Sequence, residues 1–162
     1  MISKKAAAAA ELAEQCRRLY LPMPTHYKGG PNGELRFHET RLWRFDCCWT
    51  DLQIPLRVLN PDPLRVMDET NGTRLLWPAP KLALEIDGGV FLKDGGGRHN
   101  RGAGYRNDTE KLNEAIILGW YVMRCLPEQI RSGEAVAWIE RFMFAHHVLL
   151  PTAPATFHRR KV

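Results

Sequence analysis

Glu85 and Asp87 stand two positions apart in the run KLALEIDGGVF, Lys81 to Phe91. A period of two puts Leu82, Leu84 and Ile86 on one side of a strand and Ala83, Glu85 and Asp87 on the other. Two carboxylates therefore share a face. Like charges side by side are unfavourable unless a cation, a basic side chain or a proton lies between them. A hard divalent metal such as magnesium is one natural occupant, because it prefers carboxylate and water oxygens. Gly88 and Gly89 follow at once, bending or ending the strand where backbone could approach a ligand closely.

A further acid lies in LRFHETRLWRFDCCW, Leu35 to Trp49, which reads as two extended pieces bent near Glu39 and Thr40. In the second piece Trp43, Phe45, Cys47 and Trp49 alternate with Leu42, Arg44, Asp46 and Cys48, so Asp46 falls on the polar side of an aromatic-rich strand. It is either the partner of Arg44 or Arg41, or a buried carboxylate that needs a cation. After the glycines, KDGGGRHNRGAGYR offers Lys93, Arg98, His99, Arg101 and Arg106 in a cationic loop able to grip phosphates, although the GK[ST] ending of a P-loop is missing.

The elements that must position these groups follow from pattern. Lys4 to Tyr20 is a helix with Glu14 and Arg18 four apart on an exposed face, stopped by Pro22 and Pro24. Thr25 to Glu34 reads as a loop. Residues 50–80 form an excursion from the sheet with a small hairpin around Asn71 and Gly72. A helix capped by Asn107 or Asp108 runs to about Leu118 and stops at Gly119. Leu112, Ala115 and Ile116 make its buried stripe, and Lys111 projects from a neighbouring face. Trp120 to Leu126 is a strand, so strand, loop, helix and strand give a mixed sheet with a crossover helix. Pro127 to Ile130 is a turn or short helix. Glu134 to Leu150 is a longer helix whose apolar side, Val136, Ile139, Phe142, Met143 and Val148, packs on the core or serves a homodimer contact. His146 and His147 near its end form no ligand set.

The chain of 162 residues is long enough for one domain with a real core. We expect a single domain over 1–150, with residues 50–80 inserted, and a flexible basic tail over 151–162. No apolar run approaches the ~20 residues needed to cross a bilayer, and Glu11, Glu14, Arg17 and Arg18 interrupt the alanine run too early for a signal peptide. A cytoplasmic protein without a membrane partner is therefore expected. The formal charge of +5 favours a polyanionic partner, although an ordinary basic surface accounts for it equally well. Cys16, Cys47, Cys48 and Cys125 form no CxxC pair and read as reduced, mostly buried thiols.

FD at Phe45 and Asp46, LALEIDGG at Leu82 to Gly89, GRHNRG at Gly97 to Gly102 and DTEKLNEAIILGWYVMRC at Asp108 to Cys125 resemble, in that order, the PD-(D/E)XK or restriction-endonuclease-like superfamily. Within it they look like the VRR-NUC, Holliday-junction-resolvase-like and very-short-patch-repair-like branches of phage and bacteria. The resemblance spans about Leu42 to Arg124 apart from the insertion. It implies an α/β fold with a central mixed sheet flanked by helices. It also implies a Mg2+-dependent endodeoxyribonuclease, with Mn2+ as a substitute, and DNA as partner, branched or structured DNA being the preferred substrate. Asp46 matches the first strand acid and Glu85 the second. The third motif position, usually lysine, is Asp87 here, which becomes an added metal ligand or leaves the cation to come from elsewhere. Lys111 is then the migrated lysine, and His99 and Arg101 are alternatives for phosphate contact. The implied site is thus Asp46, Glu85, Asp87 and Lys111, with the first three holding metal.

Two other classes fit parts of the sequence. A non-catalytic DNA-binding or phage accessory protein could keep this fold without the motif lysine. An HNH-type nuclease is suggested by His99 and Asn100, but its paired histidines and knuckle cysteines are not at suitable spacings. No fingerprint for a nucleotide cofactor supports a phosphate-binding metabolic enzyme.

Overall fold

The computed structural model describes residues 2–55, 76–78, 81–88, 102–148 and 150–151. Helix α1, Lys4–Arg18, is opened by the Ser3 hydroxyl, which accepts the Ala6 N–H at 3.2 Å. Its alanines let it lie close to the sheet: Ala9, Leu12, Ala13 and Cys16 are buried, whereas Glu14 pairs outward with both Arg17 and Arg18. Tyr20 closes the helix at φ 52°, and the Leu21 N–H reaches back to the Cys16 carbonyl at 2.9 Å, so the last turn is satisfied before Pro22.

The central sheet has four strands in the order β1 (His26–Tyr27), β4 (Cys47–Trp49), β7 (Lys81–Ile86) and β8 (Trp120–Cys125). The first two pairings are antiparallel, and β7 pairs β8 in parallel. Helix α2, Gly102–Ile117, lies between β7 and β8 in sequence, as a parallel neighbour requires. Gly119 at φ 79° ends it. The chain is therefore α/β with a mixed sheet. The stretch read as a loop before Glu34 contains the edge strand β1, whose two residues are too few to show a period.

Two further pairs stand outside this sheet: β2 (Leu35–Arg36) with β3 (Arg44–Phe45), and β5 (Gln53–Pro55) with β6 (Leu76–Pro78). The chain thus leaves and re-enters the excursion over 50–80 as paired strands, while Asn71 and Gly72 lie outside the described residues. Helix α3, Pro127–Arg131, and helix α4, Glu134–Ala145, join α1 on one face of the sheet. There Leu12, Cys16, Ile130, Ile139 and Met143 pack on Cys47, Trp49, Leu82, Leu84 and Ile86. The other face carries Phe45, Cys48 and Ala83 beneath Ala115 of α2, with Trp120 of β8.

Three expectations are corrected. Helix α2 starts at Gly102, so Arg106 is helical and Asn107 does not cap; the Asn107 side chain accepts the Trp43 indole N–H at 3.2 Å. Ile116 is exposed and Leu112 half-buried, because Ala115 alone brings the helix close enough to the sheet. Helix α4 stops at Ala145, with His147 at φ 53° turning the chain back so that Val148 still reaches the core. Among the described residues, no helix is long and apolar enough to cross a membrane.

Candidate active site

Phe45 and Cys48 lie in one layer and Cys47 and Trp49 in the other. Strict alternation would have kept Phe45 with Cys47; a bend at Asp46 between β3 and β4 breaks it. Cys47 faces Leu84 in register, and just before it the Asp46 side chain reaches β7 at Ile86, the residue after Glu85. Asp46 is 4% exposed, and both its hydrogen bonds fall on Oδ2, from the Lys5 ammonium at 2.9 Å and from the Ile86 N–H at 2.9 Å. Its partner is therefore Lys5 of α1 and not Arg41 or Arg44.

Glu85 takes the other lysine. The Lys111 ammonium donates to Glu85 Oε1 at 2.6 Å and to the Arg44 carbonyl at 2.6 Å, and sits 5.6 Å above the Phe45 ring. Burial pushes the Glu85 carboxyl up to about 7; Lys111 opposes that rise, and the negative Asp46 adds to it. Asp87 turns to β8, where Arg124, in register with Glu85, grips it with two bonds of 2.9 and 2.7 Å.

Glu85, Asp87, Lys111, Lys5 and Arg124, with Gly88, Asp108 and Leu112, line one cavity of about 330 Å³ at the end of β7. Glu85 and Asp87 thus share a face, as their spacing requires. Each of the three acids expected to hold metal has its own side-chain cation: Lys5, Lys111 and Arg124 respectively. Among the described residues, no three His, Cys, Asp or Glu side chains form a ready ligand group. Asp87 is held by Arg124, and Asp46, bonded to Lys5 and the Ile86 N–H, is not among the residues that line the cavity.

Lys93, Arg98, His99 and Arg101 lie outside the described residues. Arg106 is 83% exposed and pairs with Glu110 one helical turn on. Sequence reasoning missed Lys5 and Arg124. Lys5 carried a faint signal, a cation in the first turn of a helix, where the dipole disfavours it. Arg124 required the parallel register of β8. The four cysteines are free and buried. Compared with family models, with curated proteins and with solved structures, the chain matches none.

Proposed function

We propose that this chain is a metal-dependent endodeoxyribonuclease of restriction-endonuclease-like type, hydrolysing phosphodiester bonds in DNA, with branched DNA as the preferred substrate. The observation that carries the reading is Asp46 bonded to the Ile86 N–H beside Glu85, with Lys111 bonded to Glu85 at 2.6 Å. A bound Mg2+ would supply an acidified water and charge neutralisation at the phosphate. Asp46 and Glu85 would hold it. Lys111, anchored by the Arg44 carbonyl, takes the place of the absent motif lysine and orients the attacking water or meets developing charge. Arg124, kept in place by Asp87, faces the cavity as a phosphate contact.

Labelled linear, single-stranded and four-way-junction DNA, incubated with and without Mg2+, tests this. Cleavage is expected only with metal, and Asp46→Ala and Glu85→Ala should abolish it. Full activity in a folded Glu85→Ala protein would remove this site from consideration. A second reading, a DNA-binding protein without catalysis, is favoured by one observation: Asp46, Glu85 and Asp87 each already have a side-chain cation. Binding without cleavage in either Mg2+ or Mn2+ would select it.

A further inference from the structure

Strands β2 and β3 pair Leu35 with Phe45 and Arg36 with Arg44, and the Phe37 N–H continues to the Trp43 carbonyl at 3.4 Å. The five residues between Phe37 and Trp43 are braced from within. His38 Nδ1 accepts the N–H groups of Thr40 and Arg41 at 3.2 and 3.1 Å, while the Arg36 guanidinium donates to the carbonyls of Glu39 and Arg41, both at 2.9 Å. Beneath the tip Phe37 stacks on Phe45 at 4.1 Å. The Trp43 indole is tied to α2 through Asn107, and Arg41 lies 5.2 Å over its ring.

Within this fixed tip Leu42 is 75% exposed. An isolated exposed leucine is unremarkable. This one differs because the turn that presents it is braced by side-chain hydrogen bonds, because Arg41 and Arg44 flank it, and because strand β3, which follows it, leads to Asp46. A braced apolar tip between cations matches a partner with anionic edges and an apolar stacked interior, as a nucleic-acid duplex has. Arg41, which also lies 3.8 Å from Glu110, and the exposed Arg44 set positive charge on both sides of Leu42, which suits an anionic duplex better than an apolar protein contact.

We infer that the β2–β3 hairpin is a DNA contact in which Leu42 wedges between adjacent bases of a duplex while Arg41 and Arg44 hold the phosphates on either side. This rests on the reading of the protein as one that handles DNA, and not on its cutting it. Four residue steps lead from Leu42 to Asp46, at most roughly 13 Å at about 3.3 Å each. At about 3.4 Å per nucleotide, the wedge acts roughly four base steps from the phosphate at the candidate active site.

The test uses the full chain in EDTA, so that cleavage plays no part, with duplex and junction DNA carrying 2-aminopurine scanned through the sequence. Wild-type protein should raise the fluorescence at one or two adjacent positions. Leu42→Ala should abolish the rise and weaken binding about tenfold with an unchanged circular-dichroism spectrum, on the scale of losing one base-stacking contact. Arg41→Gln and Arg44→Gln should keep the rise at saturating protein but lower the slope of log affinity against log salt by about 0.9 each. Fluorescence that stays flat at every position, a Leu42→Ala protein that behaves as wild type, or a Leu42→Ala protein altered in self-association and not in DNA binding would overturn the inference. Unstacking without any Mg2+-dependent cleavage would leave the wedge standing and sink the hydrolase. Cleavage without unstacking would do the reverse.

Discussion

Glu85→Gln should change how stability depends on pH. Burial lifts the Glu85 carboxyl from 4.5 to about 7 in the folded protein. Between those values the folded chain keeps a proton that the unfolded chain has released. Stability from this group is therefore fully present below pH 4.5 and is lost as pH rises through about 7. At about 1.36 kcal/mol per pH unit the loss is about 3 kcal/mol, little screened by solvent because the side chain is only 15% exposed. Glutamine cannot titrate, so the stability of wild type minus that of Glu85→Gln should fall by about 3 kcal/mol from pH 4 to pH 8. Most other titrating groups are common to both proteins and cancel. For a chain of this size the difference in melting temperature should move by roughly 6–12 °C. Urea unfolding at several pH values, with parallel thermal melts, measures it. Stability curves that run parallel would refute the burial argument, whatever the function. A cation held by Asp46 and Glu85 favours the ionised carboxyl, so Mg2+ should flatten the wild-type curve above pH 7.

Lys111→Met leaves Glu85 buried without its ammonium and should cost about 3 kcal/mol at pH 8, shrinking toward pH 4 where the carboxyl is neutral; urea unfolding at both pH values reads this. Asp46→Asn can still accept the Ile86 N–H, whereas Asp46→Ala leaves that buried donor unpaired. The alanine protein should therefore be the less stable by about 1–3 kcal/mol in the same assay. Burial raises the Cys16, Cys48 and Cys125 thiols to about 12 and Cys47 also well above its ordinary value. Dithionitrobenzoate at pH 8 should thus label the native protein negligibly and all four thiols after denaturation; fast labelling of one native thiol would contradict the packing.

The organising strand and the helix-crossover-strand that follows were legible because Leu82, Leu84 and Ile86 carry their period without interruption, and because Trp120 to Cys125 is a short apolar, aromatic-rich run straight after Gly119. Lys111 was legible as an outlier beside the buried face of its helix. Asp46 was half legible. Its chemistry as a costly buried acid showed, but the bend that breaks the alternation at that residue did not, because a one-residue slip leaves no mark on an aromatic-rich run. The ion pairs were the least visible part. Lys5 meets Asp46 across 41 positions and Arg124 meets Asp87 across 37, and only the assembled sheet brings such residues together. Ile116 was misplaced because a helix lying on a sheet through one alanine buries a narrower stripe than its hydrophobic content suggests.

Pro55 stands opposite Leu76 in the β5–β6 ribbon. The twenty residues between them therefore depart and return about one strand spacing apart, roughly 5 Å. A segment tethered this way is a cassette. Because β5 and β6 stand outside the four-stranded platform, evolution or an engineer can lengthen, trim or exchange what joins them while the platform keeps its registration.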